Sequence, residues 1–509
     1  MGGGLIELVA RGTEDLYITN EPQITFFKVV YRRHTNFTTE PIPQKFTNTP
    51  DFGKRLSCIL SKNGDLIRNI HIVLTLPQVP IFLNSNNEED NIVKFAWVKY
   101  IGYAIIKSVE IEIGGKLIDK HYGEWLYIWN EIAGSRNRGL DYMNGFIEEL
   151  YEFTNGKSEY KLYIPLTFWF NRTAGLALPI LSLQYNDVKI NLELNDLDKC
   201  YIKTPTNYIT IDSDIVHFQQ DEVIYQTVND NTEYGRYIYY DEITKNLYYH
   251  KITDGGFVGI SGVINSDNII DNTTALTYKI TGETSEYFAV PIIGSTERTY
   301  TNSDFRDKVS RLHVKDCFLL VEYIYIDGDE RNLFAQEKHE YLIEQVQYNG
   351  NVPIDSPHRR VRVGFTQPSK YIIWLAQQDV FVDTRNNLIY NYTNDFRDNG
   401  DPLISESYVL FHGLRRCEIN SSIYYKNVQG YQYFHNTYAN GIYAYSFCLH
   451  PRQAQNTGSC NMSKIDDIDV ELFMDDTVSF TNKAKCRSYN VVYNVLRVAH
   501  GLCGLVFTD

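Results

Sequence analysis

Methionine is scarce in this chain of 509 residues, four in all, and the eight cysteines never form a CxxC pair. Spread singly from Cys58 to Cys503, they exclude a dense disulfide framework and read as buried free thiols in a reducing compartment. No apolar run approaches the roughly 18 residues of a transmembrane helix. The opening MGGGLIELVARG lacks the charged and long apolar regions of a signal peptide, and Ile6 stands where a myristoylation signal needs Ser or Thr. A soluble product made in the cytoplasm is the expectation. Excess positive charge is also missing: 48 Lys and Arg face 63 Asp and Glu, a net charge of −15, the wrong balance for a wide grip on a phosphate backbone.

Catalytic and metal signatures are equally thin. The 12 histidines include no HExxH and no HxH. Gly259-Ile-Ser-Gly262 is not the GxSxG of a nucleophile elbow. Asp327-Gly-Asp329-Glu330 resembles half a calcium loop without the later ligands, and reads as a charged turn. Cys448 and His450 would need distant help to hold a metal. No enzyme activity, cofactor or metal is expected. Carboxylate pairs suited to glycoside hydrolysis stay open among so many acids, because sequence gives no separations.

What is abundant is aromatic: 40 Tyr and 26 Phe, which favour strands. Period-two alternation recurs. In RNIHIVLTLP, Ile70, Ile72, Leu74 and Leu76 share a face; in KSVEIEIGGKLID, Val109, Ile111 and Ile113 alternate with polar residues up to a Gly114-Gly115 hairpin signal. NDVKINLELND and DDIDVELFMDD repeat the pattern, as antiparallel strands half-buried in a sandwich do. PILSLQYNDVKINLELND and GSCNMSKIDDIDVELFMDD look like matching strands of two halves, a faint echo. Helices are few: EWLYIWNEI sets Trp125, Ile128, Trp129 and Ile132 on one stripe, and MNGFIEELYEF is a second candidate. Both read as connectors over a sheet. At this length one ordinary core is too small, so two domains are expected.

Several blocks, in order, carry a family resemblance. GGGLIELVARGTEDLYITNEPQITFFKVVYRRHTNF, YIYIDGDERNLFAQEKHEYLIEQVQ, VRVGFTQPSKYIIWLAQQ, GSCNMSKIDDIDVELFM and YNVVYNVLRVAHGLCGLVF resemble segments of major capsid proteins of nucleocytoplasmic large DNA viruses, of algae and amoebae in particular. The resemblance weakens between about 201 and 305 and around 386–401. It implies an all-β chain of two tandem eight-stranded jelly rolls, assembled as a homotrimer that tiles an icosahedral shell. Minor capsid proteins would lie beneath the shell, and the protein would reside in the virion after assembly in the host cytoplasm. The division implied is an arm on the inner capsid face (1–24), a first roll (25–337) with an insertion (about 201–305), and a second roll (338–509). Residues 211–305 carry 15 acids against 5 bases, so the insertion is expected to hold its own strands and present its charge outward, where a host surface could meet it. No direct contact with nucleic acid is expected.

Within this frame TFFKVVYRRHTNF is expected to be the first strand of the first roll. Phe27, Val29 and Tyr31 alternate with Lys28, Val30 and Arg32, and the basic residues would pair with acids of a neighbouring element or subunit. SPHRRVRVGF, with Arg359, Arg360 and Arg362, reads as a strand start making a subunit contact. Sequons stand at Asn36, Asn171, Asn272, Asn391, Asn420 and Asn461, and Asn272 and Asn391 are the candidate glycosylation sites. The rival class is a β-sandwich that binds glycans as a lectin does.

Overall fold

The computed structural model describes residues 10, 21–134, 138–259, 278–397, 400–418, 421–436 and 438–507. The first group of strands is β1 (Phe37–Lys45), β2 (Arg55–Ile59), β3 (Leu66–Leu76), β4 (Lys94–Trp97), β5 (Ile106–Ile113), β6 (Lys116–Tyr122), β7 (Tyr160–Pro165) and β8 (Val188–Leu194). After β9 (Tyr201–Thr204), which pairs with β4, the chain leaves for the insertion and returns as β17 (Asp316–Ile326). Two four-stranded antiparallel sheets result, ordered β1-β17-β3-β7 and β2-β8-β5-β6.

The second group repeats this order. It comprises β18 (His339–Ile354), β19 (His358–Arg362), β20 (Pro368–Gln378), β21 (Ile404–Phe411), β22 (Leu414–Arg415), β23 (Ile442–Ser446), β24 (Cys460–Asn461), β25 (Ile468–Met474), β26 (Ala484–Ala499) and β27 (Leu502–Leu505). Its sheets run β18-β26-β20-β23 and β19-β25-β21-β22, with β24 and β27 added at the side. Both rolls thus share one interleaving, in which the first strand pairs with the last. The faint echo between the halves has a structural meaning: β8 and β25 hold the same place, second in their sheets. The chain is a double jelly roll.

Alternation places the core. In β5 and β8, Val109, Ile111, Ile190 and Leu192 are fully buried. The turn between β5 and β6 needs two residues at positive φ, and Gly114 (59°) and Gly115 (77°) provide them. β20 departs from half-burial. Ile372, Trp374 and Ala376 face the interior of the second roll, whereas Tyr371, Ile373 and Leu375 join the core of the first. Its YIIWLAQQ run is therefore covered on both faces. The helix Gly123–Ala133 supplies part of that cover, with Trp125, Ile128 and Ile132 fully buried and the Trp125 ring 5.6 Å from Tyr489. It is a wedge between the rolls more than a connector over one sheet. MNGFIEELYEF resolves into two short helices, Arg138–Asn144 and Glu148–Tyr151.

One expected strand is corrected. TFFKVVYRRHTN forms no strand; β1 starts at Phe37, opposite Ile326 at the end of β17. The alternation in the arm is real, but no backbone among the described residues lies beside it to make a ladder.

The insertion carries its own sheet, as expected. β10 (Asn207–Thr210), β11 (Val223–Val228), β12 (Asn231–Asp241), β13 (Asn246–Lys251), β14 (Ile280–Gly282), β15 (Phe288–Ala289) and β16 (Arg298–Thr299) are ordered β15-β14-β11-β12-β13-β10-β16. Ile209, Ile224, Leu247, Tyr249, Phe257 and Ile280 form a separate small core. Entry and exit are adjacent, since Asn207 pairs with Thr299 and the Tyr300 amide donates to the Thr206 carbonyl at 2.8 Å. Replacing residues 207–299 by a short Gly/Ser link is therefore expected to leave both rolls folded, with a cooperative melt and an unchanged β-type circular dichroism spectrum per remaining residue. Cutting only 241–284 would instead remove β13 and β14 from the sheet and yield an aggregating chain.

Candidate functional site

The residues singled out from sequence do not converge. Asp327 caps the helix Gly328–Gln336, accepting from the Gly328 amide at 2.7 Å, and Asp329 and Glu330 lie in its first turn, where negative charge suits the helix dipole. Cys448 is buried beside Ser446, whereas His450 is exposed. The eight cysteines are free, and burial pushes the thiols of Cys58 up to about 11 and of Cys317 and Cys486 up to about 12, so these three are unreactive. On the basic strand β19, His358, Arg360 and Arg362 are partnered within their own chain. His358 meets Glu471 at 2.9 Å, Arg360 meets Asp469 at 2.6 Å, and Arg362 pairs with Asp467, all on or beside the adjacent β25.

The sequons separate as well. Asn272 and Asn420 lie outside the described residues. Asn391 is only 4 % exposed, and its Nδ2, the atom a glycan would occupy, donates to the Asp395 carbonyl at 2.7 Å. The folded chain offers no room for a glycan there, so this candidate is withdrawn. Local composition is polar, but the loop folds inward against the rolls. Asn36 and Asn461 are exposed.

What the fold does bring together is a charged seam between the rolls that sequence reading missed. Glu344 of β18 receives Arg172, from the short helix Trp169–Arg172 of the first roll, at 2.6 Å; its other oxygen takes Lys370 of β20. The Lys370 side chain is fully buried and also donates to the Gln453 carbonyl at 2.6 Å, and Arg172 stacks on Trp129 at 3.9 Å. A second clamp centres on Glu124, which binds Arg487 at 2.8 Å and accepts from the hydroxyls of Tyr489 at 2.6 Å and Tyr392 at 3.0 Å. Burial alone would lower the Arg487 pKa, but the Glu124 carboxylate together with Tyr392, Tyr489 and Tyr348 outweighs it and holds the group charged. Asp119 accepts from the Val346 amide at 3.0 Å, and Glu131 from the Ala439 amide at 3.1 Å. In each case a carboxylate of the first roll or its wedge helix meets the second, save Glu344, which points the other way.

The insertion is fastened to a loop of the second roll. Arg385 pairs with Asp254 at 2.7 Å, Arg397 grips Glu283 with contacts of 2.6 and 2.7 Å, and Asn386 donates to the carbonyls of Ile252 and Val380. His250 sits against this loop, 5 % exposed, with its Nε2 3.1 Å from Asn386 Oδ1. Burial, aided by Arg236 and Arg385, pushes its pKa down to about 4 against the Asn386 hydrogen bond. Between insertion and rolls lies a cavity of about 560 Å³, walled by Tyr100, Tyr127, Tyr390, Tyr392 and Phe396 and edged by Arg236. Its aromatic wall is close-packed, with Tyr127 stacked on Tyr390 and Tyr100 on Phe146, each at 4.2 Å.

Two models of capsid families match the chain: "Major capsid protein N-terminus" over residues 25–241 and "Large eukaryotic DNA virus major capsid protein" over 330–504. A probable capsid protein 4 of Acanthamoeba polyphaga mimivirus is 40% identical across 100% of this chain and 99% of its own. The major capsid protein of Pyramimonas orientalis virus is 31% identical over the whole of both. Among solved structures, the Faustovirus major capsid protein superposes with a TM-score of 0.64 at 11% identity, covering 96% of this chain and 94% of that one. A chain of the PBCV-1 capsid gives 0.60 at 22%, covering 95% and 100%. The lectin-like alternative is not favoured.

Two outcomes follow from the seam and the fastening loop. Glu124→Ala leaves Arg487 without its carboxylate and is expected to cost about 3–5 kcal/mol, read as a lower urea midpoint, with Glu124→Gln intermediate because it still accepts from the tyrosines. For His250 the fold holds the neutral ring, so stability is complete above about pH 6.5 and drains as pH falls toward about 4. The full loss amounts to about 3 kcal/mol, and His250→Gln is expected to flatten the difference between melts at pH 7 and pH 4.5 by most of that amount. Taken with the fold, the matches settle kinship: the chain belongs to the family of large eukaryotic DNA virus major capsid proteins.

Proposed function

We propose that this chain is the shell-building subunit of an icosahedral large DNA virus, residing in the virion and assembling as a homotrimer whose six jelly rolls make a pseudo-hexagonal capsomer. The observation that carries this is the pairing of two rolls of identical strand order, fixed side by side by buried ion pairs, in a chain whose relatives over its full length are capsid proteins. Three copies of such a two-roll block close a ring and need no further partner to terminate it. The two units of the block are the rolls of residues 37–337 and 338–509, the first beginning later than expected because residues 25–36 form no strand; the expected inner-face arm, 1–24, lies outside the described residues but for 10 and 21–24.

The insertion forms the outward tower. Its sheet and core are separate from those of the rolls, and Asp214, Asp230, Glu242 and Glu286 stand exposed on it. The acid it buries, Glu222, is satisfied by the amides of Gln219, Thr284 and Ser285. A charged, independently folded protrusion suits the surface a host cell meets. Asn272, inside this insertion, is the remaining glycosylation candidate.

Size-exclusion chromatography with light scattering is expected to give three times the chain mass of 59.1 kDa, and electron microscopy to display hexagonal plates with one protrusion per chain. A chain that stays monomeric at micromolar concentration, or plates unaltered by loss of the insertion, would overturn the reading.

A further inference from the structure

We propose that residues 21–36 dock as an added strand on a second copy of this chain, an inference that rests on the assembly reading above. The segment is the densest run of exposed apolar surface in the described structure. Phe26 is 91 % exposed, Phe27 98 %, Val29 68 %, Val30 66 % and Tyr31 87 %. An exposed apolar run of this kind marks an interaction surface.

Three observations select a second copy as the occupant. The first is periodicity without a ladder. Phe27, Val29 and Tyr31 alternate with Lys28, Val30 and Arg32, rich in aromatic and β-branched residues, yet the arm has no strand partner among the described residues of its own chain. It cannot gain one from its own sheet, because β17 ends at Ile326, opposite Phe37, and the helix Gly328–Gln336 then turns the chain away. Among the described residues the arm's hydrogen bonds are local: the Phe27 amide donates to Thr25 Oγ1 at 3.3 Å, and His34 Nδ1 lies 2.7 Å from the Thr35 carbonyl.

The second is charge. Lys28, Arg32 and Arg33 have no ion-pair partner among the described residues, while the chain as a whole carries −15. A basic arm on an acidic molecule is complementary to a copy of that molecule. The open edge of β19, where Arg359 is exposed with no ion-pair partner among the described residues, is excluded as a receiver by like charge.

The third is continuity. The arm leads straight into β1, whose outer edge is open because β1 pairs only with β17 among the described strands. Pro41 and Pro43 remove two amides along β1, so it is a poor edge for a chance strand. The arm carries no such guard between Gln23 and Asn36. Main-chain pairing would supply affinity, and the alternating Phe27, Val29 and Tyr31 side chains would supply register.

The test uses the full chain with a benzophenone side chain at position 27, and separately a Phe26→Ser, Phe27→Ser, Val29→Ser, Tyr31→Ser variant. Irradiating mixed isotopically heavy and light chains is expected to give heavy–light crosslinks from position 27 to a strand edge of the other copy. The variant is expected to raise the dissociation constant of the oligomer about 100-fold or more, while its own circular dichroism melt as a dissociated protomer stays unchanged. If the variant assembles at wild-type strength and crosslinks stay within one chain, arm docking is overturned and the trimer stands. If the wild-type chain never associates, both readings fall.

Discussion

A sheet covered on both faces has no side left for water, and the whole molecule is organised around one such sheet. β20 turns Ile372, Trp374 and Ala376 into its own roll and Tyr371, Ile373 and Leu375 toward the other, so neither roll can exist in its present form without the other. Apolar contact alone would let two such surfaces slide. The charged groups set into the seam do not. Arg172 and Lys370 both depend on Glu344, and Arg487 depends on Glu124. Desolvating these groups costs several kcal/mol each, returned only at one relative position of the rolls. The seam thus trades some stability for a single orientation, which is what a repeating shell requires of its blocks.

The same constraint explains what was and was not legible in the sequence. Alternation in β5, β8 and β25 could be read directly, because each has one apolar face packed in the core and one largely polar face that is only partly covered. The helix around Trp125 was equally plain from its stripe, though not its place between rolls. β20 gave a continuous apolar run, which says buried but not by what. The fold class came from the family resemblance, with alternation in support of it.

The seam itself was out of reach. Arg172 and Glu344, or Glu124 and Arg487, lie far apart along the chain, and nothing local in either segment names the other. Asn391 misled for the same reason: its neighbours in sequence are polar, but its neighbours in space leave it 4 % exposed. The arm misled in the opposite direction. Its residues have every local property of a strand, and the property they lack, a partner, is not a property of sequence.

The meeting of the insertion's two ends, Thr206 with Tyr300, also bears on how the chain reaches its native state. In the first roll β17 must slip between β1 and β3, so that roll cannot close until the ribosome has released everything up to Ile326. The insertion has its own core and short-range pairings, and can form as soon as it emerges. Once formed, it draws its ends together and shortens the effective gap between β8 and β17 to residues 195–206 and 300–315, lowering the entropy lost on closing the roll. The insertion then serves as a folding aid for the frame that carries it.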